Sequence, residues 1–189
     1  MDPKDLEKAF ASTGAVLAGV TPALLNKPTP CASWKVRELV NHIVGGTMYF
    51  ATLAETGQPP AGGEDAPGAA DAGDTVAVFN KGAAEAVEAF SADGAMDRIM
   101  HLPFGDLPGS VFINIAAIDT FTHGWDLAKA TGQPTDLDPA LATEMLGVAQ
   151  AFLPDELRGP EPAPFGPRVE APAGASPADQ LAAFLGRRP

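Results

Sequence analysis

Cysteine is nearly missing from this chain of 189 residues: Cys31 stands alone, and one thiol cannot close an internal disulfide. Basic residues are scarce as well, with 12 lysines and arginines against 24 acids and a formal net charge of −12. The basic footprint that nucleic acid or an anionic membrane surface requires is therefore absent. No apolar run approaches the ~18 residues of a spanning helix. The start, M-D-P-K-D-L-E, has no basic region followed by an apolar one, so the expected compartment is the cytoplasm. Internal repeats and an obvious mid-chain linker are lacking too, which favours one domain. No segment alternates polar and apolar residues at strand period, and the expected fold class is all-α.

What is present is helical periodicity. Asp2-Pro3 is an N-cap followed by the residue best tolerated at the first helical position, and Leu6, Phe10, Thr13, Leu17 and Val20 form a stripe behind it. Thr21-Pro22 stops that helix before a short turn carrying Leu24 and Leu25. Ser33 is the expected N-cap of a second helix with Leu39, Ile43, Phe50 and Leu53 inward and His42 on the margin. Gly45-Gly46 follow His42 by three and four residues, so their missing side chains leave space for a ligand or for a closely packed helix. Residues 57–74 hold no large apolar side chain and read as a long mobile crossover. Val76, Phe79, Ala83, Val87 and Phe90 mark a third helix, and residues 101–109 a proline and glycine linker containing His101, expected exposed or locally packed.

Ser110 to Gly132 then reads as the organising helix, with Ser110 as N-cap and Gly132 as the left-handed terminator. Ile115, Ile118, Thr122 and Trp125 face the core; Trp125 needs a partner for its ring N–H. On another face Asp119 and His123 lie four residues apart, one turn above the other, where both can bind one cation. Two ligands are too few, and His42 on a facing helix is the natural third. Asp126 reads either as a partner orienting His123 or as a solvated or helix-packing acid. Cys31 reads as structural and Glu38 as a solvated helix acid. Asp138-Pro139 opens a fifth helix with Leu141, Met145, Val148 and Phe152 inward. Residues 154–175 carry six prolines and are expected to run extended, and Ser176-Pro177 starts a last short helix with Leu181, Phe184 and Leu185. The expected organisation is a helical bundle over 1–153, with 154–189 a proline-rich tail and short helix packed on it.

The runs T-P-C-A-S-W-K-V-R-E-L-V-N-H-I-V-G-G, L-P-F-G-D-L-P-G, D-T-F-T-H-G-W-D-L-A-K-A-T-G-Q and F-G-P-R-V-E together resemble an actinobacterial family. It is the metal-binding group related to the N-terminal domain of mycothiol-dependent maleylpyruvate isomerase, in the DinB-like superfamily. The resemblance implies a DinB-like four-helix bundle with a long crossover loop and additional C-terminal helices. It implies a divalent metal, zinc or in its place nickel or another ion, on His42, Asp119 and His123. Aspartate stands at 119 where the isomerase has glutamate, one methylene longer, so the cation would sit nearer that backbone or be bound less tightly. The isomerase's second domain has no counterpart here, so the resemblance does not carry maleylpyruvate isomerisation over. What it implies is a metal-dependent transferase or isomerase using a small-molecule thiol, mycothiol, as co-substrate against an electrophile. The alternative is a non-catalytic metal or small-molecule binding or interaction module. Self-association as a homodimer is a further implication.

Overall fold

The computed structural model describes residues 1–31, 33–153, 158–159 and 166–189. Six α-helices account for most of them: α1 Pro3–Leu17, α2 Val36–Thr56, α3 Thr75–Ser91, α4 Gly109–Thr131, α5 Pro139–Phe152 and α6 Pro177–Phe184. Helix α1 packs on α3 and α4, and α2 packs on the same two helices, so four helices share one core. Trp125, Phe79, Phe90, Phe112 and Phe121 are fully buried there. Helix α6 lies on α5 and α4. None of the described helices is long and apolar enough to cross a membrane.

Local chemistry explains where the helices begin. Asp2 accepts hydrogen bonds from the backbone N–H of Lys4 and Asp5 while the Asp5 carboxylate accepts from the N–H of Asp2, a reciprocal cap that spends otherwise orphaned donors. Asp138 and Ser176 cap α5 and α6 as their sequence positions suggest. Ser33 and Ser110 are not the caps of α2 and α4; Lys35 and Pro108 stand there instead. In both helices backbone carbonyls outcompete a side-chain cap. The N–H groups of Val36 and Arg37 donate to Lys27 and Leu25, and those of Gly109 and Ser110 to Arg98 and Met96. Glu38, exposed as expected, also accepts from the N–H of Lys35 at 2.9 Å.

The all-α expectation needs one correction. Residues 99–108 form an antiparallel hairpin, β1 Ile99–Leu102 and β2 Gly105–Pro108, where a linker was expected. Met100 and Leu102 are buried while Ile99 and His101 face out, an alternation only four residues long and too short to register as a period. Smaller corrections fall at helix ends. Helix α1 stops at Leu17, leaving the half-buried Val20 beyond it, and Phe152 at the end of α5 is 41% exposed. Ile115 is half-buried, whereas Ile118, Thr122 and Trp125 enter the core. Of the proline-rich stretch, residues 166–175 contain no helix or strand; 154–157 and 160–165 lie outside the described residues.

The crossover 57–74 is not a free loop. Asn41 of α2 binds it twice, its carbonyl accepting from the N–H of Ala66 at 3.1 Å and its side chain from that of Ala70 at 2.9 Å. Arg37 pairs with Asp71 alongside. The loop is thereby laid along α2, over the turn that holds His42.

Candidate metal centre

Helix periodicity brings Asp119 and His123 to one face of α4, and the α2–α4 contact sets His42 opposite them. His123 Nε2 is 3.4 Å from Asp119 Oδ1, and His42 Nε2 is 3.9 Å from Asp119 Oδ2. One donor atom from each residue lies within 4.8 Å of the other two. Zinc bonds of about 2.0–2.1 Å to nitrogen and oxygen place neighbouring tetrahedral donors about 3.3–3.5 Å apart. The first spacing matches and the second exceeds it by an amount that a small side-chain rotation closes. Both are wider than an ordinary N–H···O hydrogen bond. These three side chains could hold one divalent ion between them.

The far side of each imidazole is clamped by a carboxylate. His42 Nδ1 is 3.1 Å from Asp65 Oδ1, and His123 Nδ1 is 3.1 Å from Asp126 Oδ2. A histidine that donates Nδ1–H outward presents the lone pair of Nε2 inward, as a metal ligand must. Trp34 packs over both rings, with centroids 4.6 Å from His42 and 5.7 Å from His123. Close packing holds α4 in place at this level: a β-carbon on Gly124 would lie 2.3 Å from Thr13 Oγ1, which itself donates to the carbonyl of Thr120.

Asp126 is the buried oriented partner, not the solvated acid. Arg187 binds it with both Nη2, 3.0 Å from Oδ2, and Nε, 3.3 Å from Oδ1. Burial opposes its charge, but Arg187 and then His123 hold its carboxyl down at about 2. Cys31 donates its thiol to Asp126 Oδ2 at 3.3 Å. Cys31, His123 and Asp126 are also close enough to form a donor set. The Arg187 guanidinium already supplies a positive charge there, which disfavours a divalent ion.

Charge prepares the first set for a cation. Burial resists ionisation of Asp119, yet His123, His42 and Arg187 together bring its carboxyl below the ordinary range. Burial likewise works against a charged His123, and the adjoining Asp119, with help from Asp126, overrides it and raises the imidazole well above its usual value. Glu64, on the docked loop, is pushed up to about 7 by burial and then by the charge of Asp119.

Gly45 makes room for that loop and not for a ligand or a helix. A β-carbon there would meet the Glu64 carbonyl at 2.1 Å, while one on Gly46 would touch only the Phe50 ring, at 3.5 Å. His101 is remote from the site, paired with Asp106 on the exposed hairpin at 2.9 Å. Trp125 finds its partner in Asp179, to which Nε1 donates at 2.8 Å. Sequence reasoning did not reach Glu64, Asp65, Arg187 or Trp34 as parts of the site. An acidic pair within a glycine, proline and alanine loop was the one signal for the first two.

Residues 6–128 match the family model described as the mycothiol maleylpyruvate isomerase N-terminal domain. Two Mycobacterium tuberculosis proteins described as uncharacterized, MT0763 of strain CDC 1551 / Oshkosh and Rv0738 of strain H37Rv, are each 43% identical over 191 residues. Those alignments cover 99% of this chain and 98% of theirs. No solved structure matches.

Proposed function

The chain belongs to the family of the mycothiol maleylpyruvate isomerase N-terminal domain, and from that premise we propose that it is a metal-dependent thiol transferase or isomerase of the cytoplasm. Its core of α1–α4 is read as the DinB-like four-helix bundle. His42, Asp119 and His123 are the metal ligands, and mycothiol is the thiol co-substrate. The observation that carries this reading is the inward turn of both Nε2 atoms onto one carboxylate, with both Nδ1 atoms fastened to acids. Nitrogen and oxygen donors of this kind suit zinc, and three protein ligands leave a fourth position for substrate.

A zinc ion bound there would favour the thiolate form of an incoming thiol, the nucleophilic one. The residues around it have separable tasks. Asp65 and Asp126 keep the imidazoles in the ligating tautomer. Trp34 shields one side of both rings from water. Glu64, on the docked loop near Asp119, is the carboxyl that would take up the thiol proton and return it to a product. Asp119, with a third of its side chain accessible, marks the face from which substrate enters.

Titration calorimetry of mycothiol into zinc-loaded and zinc-free protein tests the thiol assignment. Binding confined to the loaded form supports it. A loaded protein that does not bind mycothiol removes the thiol, and with it turnover, and leaves a metal-binding module.

A further inference from the structure

The C-terminal segment reaches into the metal centre from outside the region that defines the family. The family match ends at residue 128, whereas Arg187 lies after α6, near the end of the chain. Two consecutive residues of α4 are nevertheless bound by this segment: Trp125 donates to Asp179 at 2.8 Å, and Asp126 receives both Nη2 and Nε of Arg187. The segment is itself anchored. Backbone hydrogen bonds join the N–H of Arg187 to Ala182 and that of Val169 to Ala183, and Arg187 Nη1 donates to the carbonyl of Leu185.

We propose that Arg187 is a positioning residue for the metal, acting through Asp126 on His123, so that the C-terminal segment completes a centre whose ligands all come from the matched domain. The chain of contacts is continuous: Arg187 Nη2 to Asp126 Oδ2 at 3.0 Å, and the same oxygen to His123 Nδ1 at 3.1 Å. An Asp126 carboxylate is fully buried, and a guanidinium gripping both oxygens fixes the plane in which it can receive the Nδ1 proton. That plane sets the direction of the Nε2 lone pair. Cys31 spends its thiol proton on the same carboxylate, so each direction around Asp126 Oδ2 is assigned. His42 has a different support, Asp65, which lies on the crossover loop and is 63% exposed at its side chain. The two histidines are thus held by unequal means, one by a buried ion pair and one by a loop acid at the surface.

This inference rests on the metal reading above. Zinc affinity by chelator competition, together with the visible absorption of the cobalt-substituted protein, is measured for wild type, Arg187→Met, Arg187→Lys, Asp126→Asn and the Arg187→Met, Asp126→Asn pair. Arg187→Met is expected to bind zinc about tenfold more weakly and to shift the cobalt bands, since groups supporting a ligating histidine typically contribute this much. Arg187→Lys recovers part of the loss, and the pair binds no more weakly than Asp126→Asn alone, because the arginine acts through the aspartate. Where Arg187→Met leaves Asp126 unpaired and the chain unfolds, the pair, which has no uncompensated buried charge, is read against Asp126→Asn. Wild-type affinity and an unchanged cobalt spectrum in Arg187→Met overturn the inference alone, as does a further loss in the pair. A wild type that binds no zinc overturns the metal reading as well.

Discussion

Asp65 holds the Nδ1 edge of His42 at 3.1 Å, although the two residues are separated by the rest of α2 and the first part of the crossover loop. The loop therefore belongs to the centre. Because the Asp65 side chain is 63% exposed, its removal exposes little new apolar surface and leaves no buried charge unpaired. Asp65→Ala should lower zinc affinity about 10-fold or more, the usual range for an outer partner of a ligating histidine, while changing stability by no more than ~0.5 kcal/mol. Zinc competition and a thermal melt on the same preparations check both halves.

Gly45 is the second handle on the loop. A methyl at this position would overlap the Glu64 carbonyl, a backbone atom that cannot rotate away. Gly45→Ala should destabilise the protein by ~1–3 kcal/mol despite alanine's better helix propensity, and should weaken metal binding as the loop lifts. Gly46→Ala meets only a ring edge and should be neutral or stabilising by up to ~1 kcal/mol. Denaturant melts of the two variants separate these outcomes.

This pair shows where the sequence was legible and where it was not. Asp119 and His123 could be paired because helix geometry converts spacing into facing, and that needs no knowledge of the loops, whereas His42 came from the expectation of a facing helix and from the family resemblance. The glycine pair was visible as an anomaly inside a helix. What filled the space was not, since the path of 57–74 depends on Asn41 accepting two backbone N–H groups, with its carbonyl and its side chain, at the right height on α2, a tertiary fact. Arg187 was out of reach for the same reason: sixty-one residues separate it from Asp126. The caps failed selectively. Asp2, Asp138 and Ser176 cap by their own side chains, but α2 and α4 begin against backbone carbonyls that no local pattern announces. The hairpin escaped because each strand has four residues.

Stability of the metal-free protein should depend on pH with a definite sign. His123 has its folded pKa raised well above 6.5, so its contribution is complete below that value and is lost as pH rises through the raised one. Glu64 moves from 4.5 to about 7, which favours the fold below 4.5 and ceases to do so by about 7. Asp126 moves from 3.8 to about 2 and acts in the opposite direction, stabilising above 3.8 and failing as pH falls to 2. The melting temperature in chelator should be highest near pH 4 and fall from about pH 5 to about pH 7. Zinc should restore it most at neutral pH, where it displaces the His123 proton. Calorimetric melts at stepped pH, with and without zinc, measure this.

Thr122 carries a cost of a different kind. Its hydroxyl is buried in the core without a hydrogen-bond partner among the described residues. Thr122→Val keeps the shape and removes the desolvated group, so stability should rise by ~1 kcal/mol with no change in zinc affinity. A drop in stability would mean that the hydroxyl is satisfied in solution.

Metal content is the most direct measure of the central claim. Elemental analysis of protein purified without an affinity tag should find one divalent ion per chain in wild type, and little in Asp119→Ala or in His42→Ala with His123→Ala, at unchanged helical circular dichroism. An unchanged metal content in the double-histidine variant, or none in the wild type, would contradict it.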